Sequence, residues 1–401
     1  MPSTLDGESI VDIRLTDIEE DEEQRARLPG QTLTLDAQGA LLLPGLIEPH
    51  IHLEKALLLD RMSGDAASLQ EAISMTAALK AGFTEEDMIE RSVEVINKLS
   101  GYGVTQLRCH VEVDPMLQLR AMSSALEVKE RMRSKVDMQI VVFPQEGIAS
   151  APGTVELMEE AVRMGADVIG GITYVDPDLE EHSKFVFELA ERSNLPIDFH
   201  ADFSLNPEDA GIIHIARKTV EYGYQGNVSA GHVTSLAAMS REKASLYAGQ
   251  IAEAGLHLMT LPATDLYLNG RGDDYNVRRG IAPIGLLRDH GVNVIYGSNN
   301  IQNAFTPFGS GNPLDVAWLL GHAAFMGSRK DTETLVEMAT YGAAKALGLR
   351  DYGLWAGAQA DLVMFPVQSK RQLIIERPRP IGVWKRGCLL ANENSLEWRM
   401  K

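Results

Sequence analysis

From residue 41 to about residue 345 the chain alternates short apolar runs with longer amphipathic stretches, and it does so eight times. The runs fall at 41–53, 105–113, 138–145, 167–175, 196–203, 227–234, 257–264 and 293–300. Between them lie segments such as 154–164 and 181–193, whose apolar residues recur at helical spacing. A strand that returns to its own sheet through a helix must run parallel to its neighbour, and a parallel sheet needs helices over its faces. The expected fold class is therefore α/β, a (β/α)8 TIM-type barrel. An open, doubly wound sheet would alternate in the same way. Closure is favoured because polar and ionisable residues recur at the C-terminal ends of the runs, where barrel active sites lie.

The flanks read differently. Residues 9–15 and 32–36 have strand patterning around an acidic stretch at 17–27, and 361–391 returns to strand patterning. The expected division is a small β-domain begun by residues 1–44, a barrel over 45–350, and residues 351–401 completing the small domain and forming a tail.

The first run carries the chemistry. Pro44 and Gly45 interrupt it, and His50 and His52 follow one residue apart. Residues i and i+2 of a strand face the same way, so both rings can reach one point. Imidazole is the commonest neutral protein ligand for zinc, iron and related divalent ions. The fifth run ends in His200 and the sixth in His232, so four of the ten histidines sit at matching strand ends. Core packing explains that clustering poorly, and a metal site explains it well.

The stretch Pro-Gly-Leu-Ile-Glu-Pro-His-Ile-His-Leu-Glu-Lys at 44–55 resembles the first-strand signature of the amidohydrolase superfamily. Within it, the similarity is to the branch of cytosine deaminase and N-isopropylammelide amidohydrolase, and it runs from about Val11 to about Leu390. The resemblance implies that His50, His52 and His200 hold one divalent ion, with zinc or iron first and manganese or cobalt next. It implies that His232 orients the attacking water or stabilises charge on the substrate. A divalent ion lowers the pKa of its water from 15.7 towards ~7. It also implies a homo-oligomer and a small β-sandwich beside the barrel. No lysine ends the fourth run, which points to one metal rather than a pair bridged by a carboxylated lysine.

Two positions depart from the family pattern. Asn299, in Tyr-Gly-Ser-Asn-Asn at 296–300, stands where the family has an aspartate that ligates the metal and acts as base. Its amide oxygen can ligate a hard ion but cannot accept a proton at neutral pH. Phe203 stands where the cytosine deaminases have a proton-shuttling carboxylate. Asp202, Glu112, Glu54 and Asp176 all lie at or just past strand ends and could replace the lost base, with Asp202 preferred because it shares a face with His200. His110, Glu112 and Asp114 fall at i, i+2 and i+4, as expected of a strand that lines the pocket.

Gln145, in Phe-Pro-Gln-Glu-Gly at 143–147, matches a substrate-binding glutamine of cytosine deaminase, and Lys55 matches a lysine of the isopropylammelide branch. With Asn300 they are the expected substrate contacts. A primary amide donates and accepts at once, which suits a cyclic amide or ureide edge. Arginines in 268–280 could fold a lid, meet a substrate carboxylate or bridge subunits.

A net charge of −19 offers phosphates no basic stripe, which argues against nucleic-acid and membrane-surface partners. The two cysteines, Cys109 and Cys388, imply no disulfide framework, and reducing cytoplasm is the expected location. The leading expectation is a metal-dependent hydrolase of a small cyclic amide, amidine or ureide, with activated water attacking a ring carbon and releasing ammonia, an amine or another heteroatom group. The rival is a paralogue that kept the pocket and lost turnover.

Overall fold

The computed structural model describes residues 3–6, 8–13, 37 and 39–390. The strand patterning at 32–36, the acidic stretch at 17–27 and the tail beyond residue 390 lie outside them. The described strands form a hairpin and two sheets. β1 (Ser3–Asp6) and β2 (Ser9–Ile13) make an antiparallel hairpin. β3 (Leu41–Pro44) joins β12 (Leu362–Phe365), β13 (Gly382–Lys385) and β14 (Cys388–Leu389) in a small antiparallel sheet, ordered β14-β13-β12-β3.

The barrel holds β4 (Leu46–Ile51), β5 (Val104–Glu112), β6 (Asp137–Phe143), β7 (Val168–Ile172), β8 (Ile197–Ala201), β9 (Val228–His232), β10 (His257–Thr260) and β11 (Asn293–Tyr296). All eight pair in parallel in chain order. The ring closes at its C-terminal mouth, where Asn299 N donates to His50 O and His52 N donates to Asn299 O, both at 2.9 Å. Thus the bonds that close the sheet belong to residues singled out for the chemistry.

The expected single strand at 41–53 is two strands in two sheets. Gly45 makes the break. A side chain there would fall 2.2 Å from Thr105 Oγ1, so only glycine lets the chain pass from the small sheet to the barrel this close to β5. Its N–H donates to Asp361 O at 2.9 Å and its carbonyl accepts from Tyr352 Oη at 2.7 Å.

Inside the barrel, below the mouth, Arg108 Nη1 donates to Asp198 Oδ2 at 2.9 Å with both side chains fully buried. Paired charges in so dry a place hold only while both partners remain. Ladder register then aligns the site: His232 pairs with Ala201, and His200 with Ile172. His200 and His232 thus lie one residue apart along the β8–β9 ladder, at the C-terminal ends of their strands.

Candidate active site

β4 runs out into His50, His52, Glu54 and Lys55, all buried. His50 stacks on His110 of β5 at 3.9 Å between ring centroids and lies 4.7 Å from His200. His52 Nε2 sits 3.1 Å from His200 Nε2. Two nitrogens on one tetrahedral zinc, each at about 2.1 Å, would stand roughly 3.4 Å apart. The pair is thus spaced as ligands of one ion are spaced.

Burial pushes the pKa of His50, His52 and His200 well below the ordinary range, and the neighbouring cationic groups push in the same direction. All three are neutral bases with lone pairs to give. Both nitrogens of His50 and the Nδ1 atoms of His52 and His200 are buried without a hydrogen-bond partner. So is Asn299 Oδ1, while its Nδ2 donates to Thr264 Oγ1 at 3.0 Å. His50, His110 and His200 bring ligand atoms within 4.8 Å of one another, and unpaired imidazole nitrogens in a dry site fit a borderline divalent ion.

His232 closes the other side. Its Nδ1 donates to Asp265 Oδ1 at 2.7 Å, and Asp265 also takes Leu261 N–H at 3.0 Å. Burial raises the Asp265 carboxyl above its usual range, against the pull of His232. With Nδ1 committed, Nε2 is the nitrogen His232 offers to the pocket. Phe203 lies face to face with its ring at 4.0 Å. Backbone strain gathers here: φ is positive at Asp202 (45°), His232 (70°), Val233 (53°) and Asn299 (59°). Left-handed backbone at non-glycine residues persists only where the surroundings impose it, and it clusters at functional sites.

Opposite lies a network of charges. Lys55 Nζ donates to Glu112 and, at 3.3 Å, to Gln145 Oε1. Lys80 Nζ meets Glu112 Oε2 at 2.7 Å, Asp114 Oδ2 at 2.9 Å and Glu146 Oε1 at 2.7 Å. Burial alone would raise Glu112, but the two ammonium groups overcome it and hold its carboxyl down to about 2. It cannot serve as a base at neutral pH. Glu54 differs: burial, reinforced by the charge of Glu112, raises it to about 7. Asn300 Oδ1 accepts from Asn303 Nδ2 at 2.7 Å, and Asn303 also donates to Lys55 O at 2.8 Å.

Of the expected residues, His50, His52, His200, His232 and Asn299 share the mouth, and Lys55 touches Gln145. Asp202 does not point there. Its Oδ1 accepts from Thr173 Oγ1 at 3.0 Å and its Oδ2 from Ile212 N at 2.9 Å, at the head of helix Gly211–Glu221, so both oxygens are occupied away from His200. Asp176 is likewise occupied, by His182 and two backbone N–H groups. The arginines of 268–280 brace the loop: Arg278 pairs with Asp273 at 2.6 Å and donates to Leu205 O at 2.8 Å, and Arg279 Nη1 donates to Ala323 O at 2.7 Å.

Asp265 and Lys80 were missed by sequence reasoning. Asp265 sits one residue beyond the seventh run, in the first turn of helix Pro262–Leu268. Proline at the first helical position was the available signal, since an aspartate just after it lies at a helix start beside a strand end.

An amidohydrolase family model matches residues 33–389. The N-isopropylammelide isopropyl amidohydrolase of Pseudomonas sp. strain ADP is 25% identical over 370 residues, covering 90% of this chain and 88% of that protein. A pterin deaminase of Rhizobium rhizogenes is 26% identical over 355 residues, covering 88% of this chain and 80% of its own. The crystal structure of 5-methylcytosine deaminase from Klebsiella pneumoniae with 5-fluorocytosine superposes with a TM-score of 0.91 at 28% identity, covering 99% of this chain and 95% of that one.

Proposed function

The chain belongs to the amidohydrolase family, and from that premise we propose that it hydrolyses a small nitrogen heterocycle with one divalent ion. The observation that carries the reading is the convergence of His50, His52 and His200, neutral and with unpartnered nitrogens, beneath the His232–Asp265 pair. These three histidines, with Asn299 Oδ1, would hold the ion, which when bound supplies an acidified water. The relatives' names, an amidohydrolase of N-isopropylammelide and deaminases of a pterin and a methylcytosine, support a cyclic C–N substrate.

The chain's own groups divide the remaining work. Gln145 and Lys55, with Asn300, bind the polar edge of the ring. His232 moves the proton at Nε2 while Asp265 fixes its tautomer and steadies the imidazolium, the role a buried aspartate plays behind a catalytic histidine. Asp265 takes over as support what Asn299 and Phe203 cannot supply. Phe203 packs in an apolar cluster with Leu268, Phe305, Ala304, Ala66 and Ala72, drawn from loops and from helices Leu69–Lys80 and Pro262–Leu268. A wall of that kind excludes water and suits a leaving group with an apolar substituent: an alkylamine, which must take a proton before it leaves, or a thiolate, which needs less help from an acid. Self-association in the cytoplasm is part of the proposal; no helix among the described residues is long and apolar enough to cross a membrane.

Asn299 and Phe203 favour a second reading, in which the pocket binds the same rings without turnover. Elemental mass spectrometry of the purified protein and a panel of oxo-pyrimidines, pterins and triazines carrying amino, alkylamino and thioalkyl groups separate the two. About one metal per chain with release of one such group supports hydrolysis. A metal-loaded protein that binds the rings and releases nothing supports the second reading. Under about a tenth of an equivalent of metal after growth with added ions overturns the metal site itself.

A further inference from the structure

We infer that Asp176 and His182 form a lock that positions the Gln145 loop, and that they act on substrate affinity through Gln145 rather than on turnover. The inference rests on the reading above that Gln145 binds the ring. Residues 144–150 leave β6 over the mouth, and few of their bonds are internal. Asp176, just past β7, reaches across to them. Its Oδ2 accepts from Ile148 N at 2.7 Å and its Oδ1 from Ser150 N at 2.8 Å. Ser150 Oγ donates to Val175 O at 3.4 Å.

His182, in helix Leu179–Ser193, completes the device. Its Nε2 accepts from Ile172 N at 3.0 Å. A ring with a proton acceptor at Nε2 must carry its hydrogen on Nδ1, and Nδ1 stands 2.6 Å from Asp176 Oδ2. The last backbone N–H of β7 thus orients His182, His182 orients Asp176, and Asp176 holds two amides of the loop. Burial alone would raise Asp176, yet the bonds from His182, Ile148 and Ser150 hold it well below the usual carboxylate range.

The fit is close on the loop side. Gly147 has φ of 86°, and a side chain there would fall 2.3 Å from Asp176 Oδ1. On its other flank the loop is tied by Glu146 to Lys80. Gln145, one residue before the Glu146 tie, has its N–H on Phe143 O at 3.2 Å and its Oε1 on Lys55 at 3.3 Å, so the two ties fix the course of the loop that carries it. Neither Asp176 nor His182 touches the histidine cluster, so neither is a catalytic residue. They are positioning residues, and they explain why a carboxylate at a strand end is not the base.

The test uses Asp176→Asn and Gly147→Ala in the metal-loaded full chain. One weakens the acceptor, and the other pushes the loop off it while leaving the buried carboxylate in place. Each should raise KM about tenfold for a heterocycle the parent protein hydrolyses, the size of one hydrogen bond to a charged partner, with kcat within about threefold. Amide exchange of the segment 144–151 should quicken by about tenfold in both, with the barrel strands unchanged. D176N combined with Q145A should bind no worse than Q145A alone, because a lock acting through Gln145 has nothing left to position. Additive KM effects, a kcat loss as large as the KM rise, or unchanged exchange would overturn the inference. If the parent hydrolyses nothing in the panel, the functional reading fails by itself, and exchange of the segment still decides whether the lock exists.

Discussion

Along the arc from β4 to β6 the barrel mouth buries Lys55, Lys80, Glu112 and Asp114 against one another, whereas from β8 to β11 it presents Phe203, Leu268 and Phe305 around His232 and Asp265. The charges of the first arc are matched internally. Glu112, held down to about 2 between two ammonium groups, stays ionised at neutral pH, whereas burial and the charge of Glu112 raise Glu54 beside it to about 7. In the second arc one carboxyl, raised by burial, lies beside one imidazole in apolar surroundings. Groups whose environments push their pKa values apart take different roles. On the proposed reading the first arc holds the ring, the second moves the proton, and the histidines proposed to hold the metal lie between them.

Removing an ion that serves both arcs has the largest expected effect. Chelation, or His52→Ala or His200→Ala, should abolish metal loading and lower kcat/KM by about 10⁴-fold or more, since Lewis-acid activation is worth several kcal/mol. Elemental analysis beside the kinetics checks it. Full activity in a metal-free protein would remove the reason for placing the histidines between the arcs.

Next comes the second arc alone. Asp265→Asn leaves His232 without a carboxylate at Nδ1 and should reduce kcat by about 10³-fold, within the range for general acid–base groups, with KM and metal content little changed. A loss confined to KM would mean that this arc binds rather than reacts.

How much of this was legible in the sequence follows the same division. The eight strands and the histidines at His50, His52, His200 and His232 could be read because each obeys local periodicity along its own strand. The closing contacts of Asn299 with His50 and His52 join residues far apart in the chain, which no pattern along the chain reports. Asp202 shows the limit of strand alternation. Spacing put it on the face of His200, but its φ of 45° ends the strand there and turns the carboxylate to the head of the next helix. Asp265 was hidden because a strand-end search stops where the helix starts. Lys80 was hidden because a lysine inside an amphipathic stretch reads as solvated, and its three carboxylate partners come from β5, the loop after β5 and the loop after β6.

Any pH profile of the two arcs needs the barrel floor subtracted first. His257, whose Nε2 lies 3.2 Å from Gly226 O, is lowered by burial to about 4, only partly offset by that bond. Its folded pKa lies below the unfolded value of about 6.5, so the unfolded chain binds the proton more tightly. The stability it contributes is fully present above pH 6.5 and is lost as pH falls towards 4, by at most about 3 kcal/mol. In the metal-free protein, His257→Gln should flatten the acid limb of a denaturation series between those values. Equal slopes in the two proteins would place the acid sensitivity at the mouth instead.

The smallest effect belongs to the first arc. Gln145→Ala should raise KM by about tenfold and leave kcat nearly unchanged, because a bond made equally to ground state and transition state alters binding alone. Lys55 sharpens the test. An ammonium only donates, so it fixes the Gln145 amide with Oε1 towards itself and Nε2 towards the pocket. Gln145→Glu presents an acceptor in place of that donor, and it should lose affinity for rings bearing a carbonyl at the contacted edge more than Gln145→Ala does. A ring bearing an N–H there should lose less. If both ring classes respond alike, Gln145 fills space rather than reads the edge, and the division between an arc that binds and an arc that reacts loses its binding half.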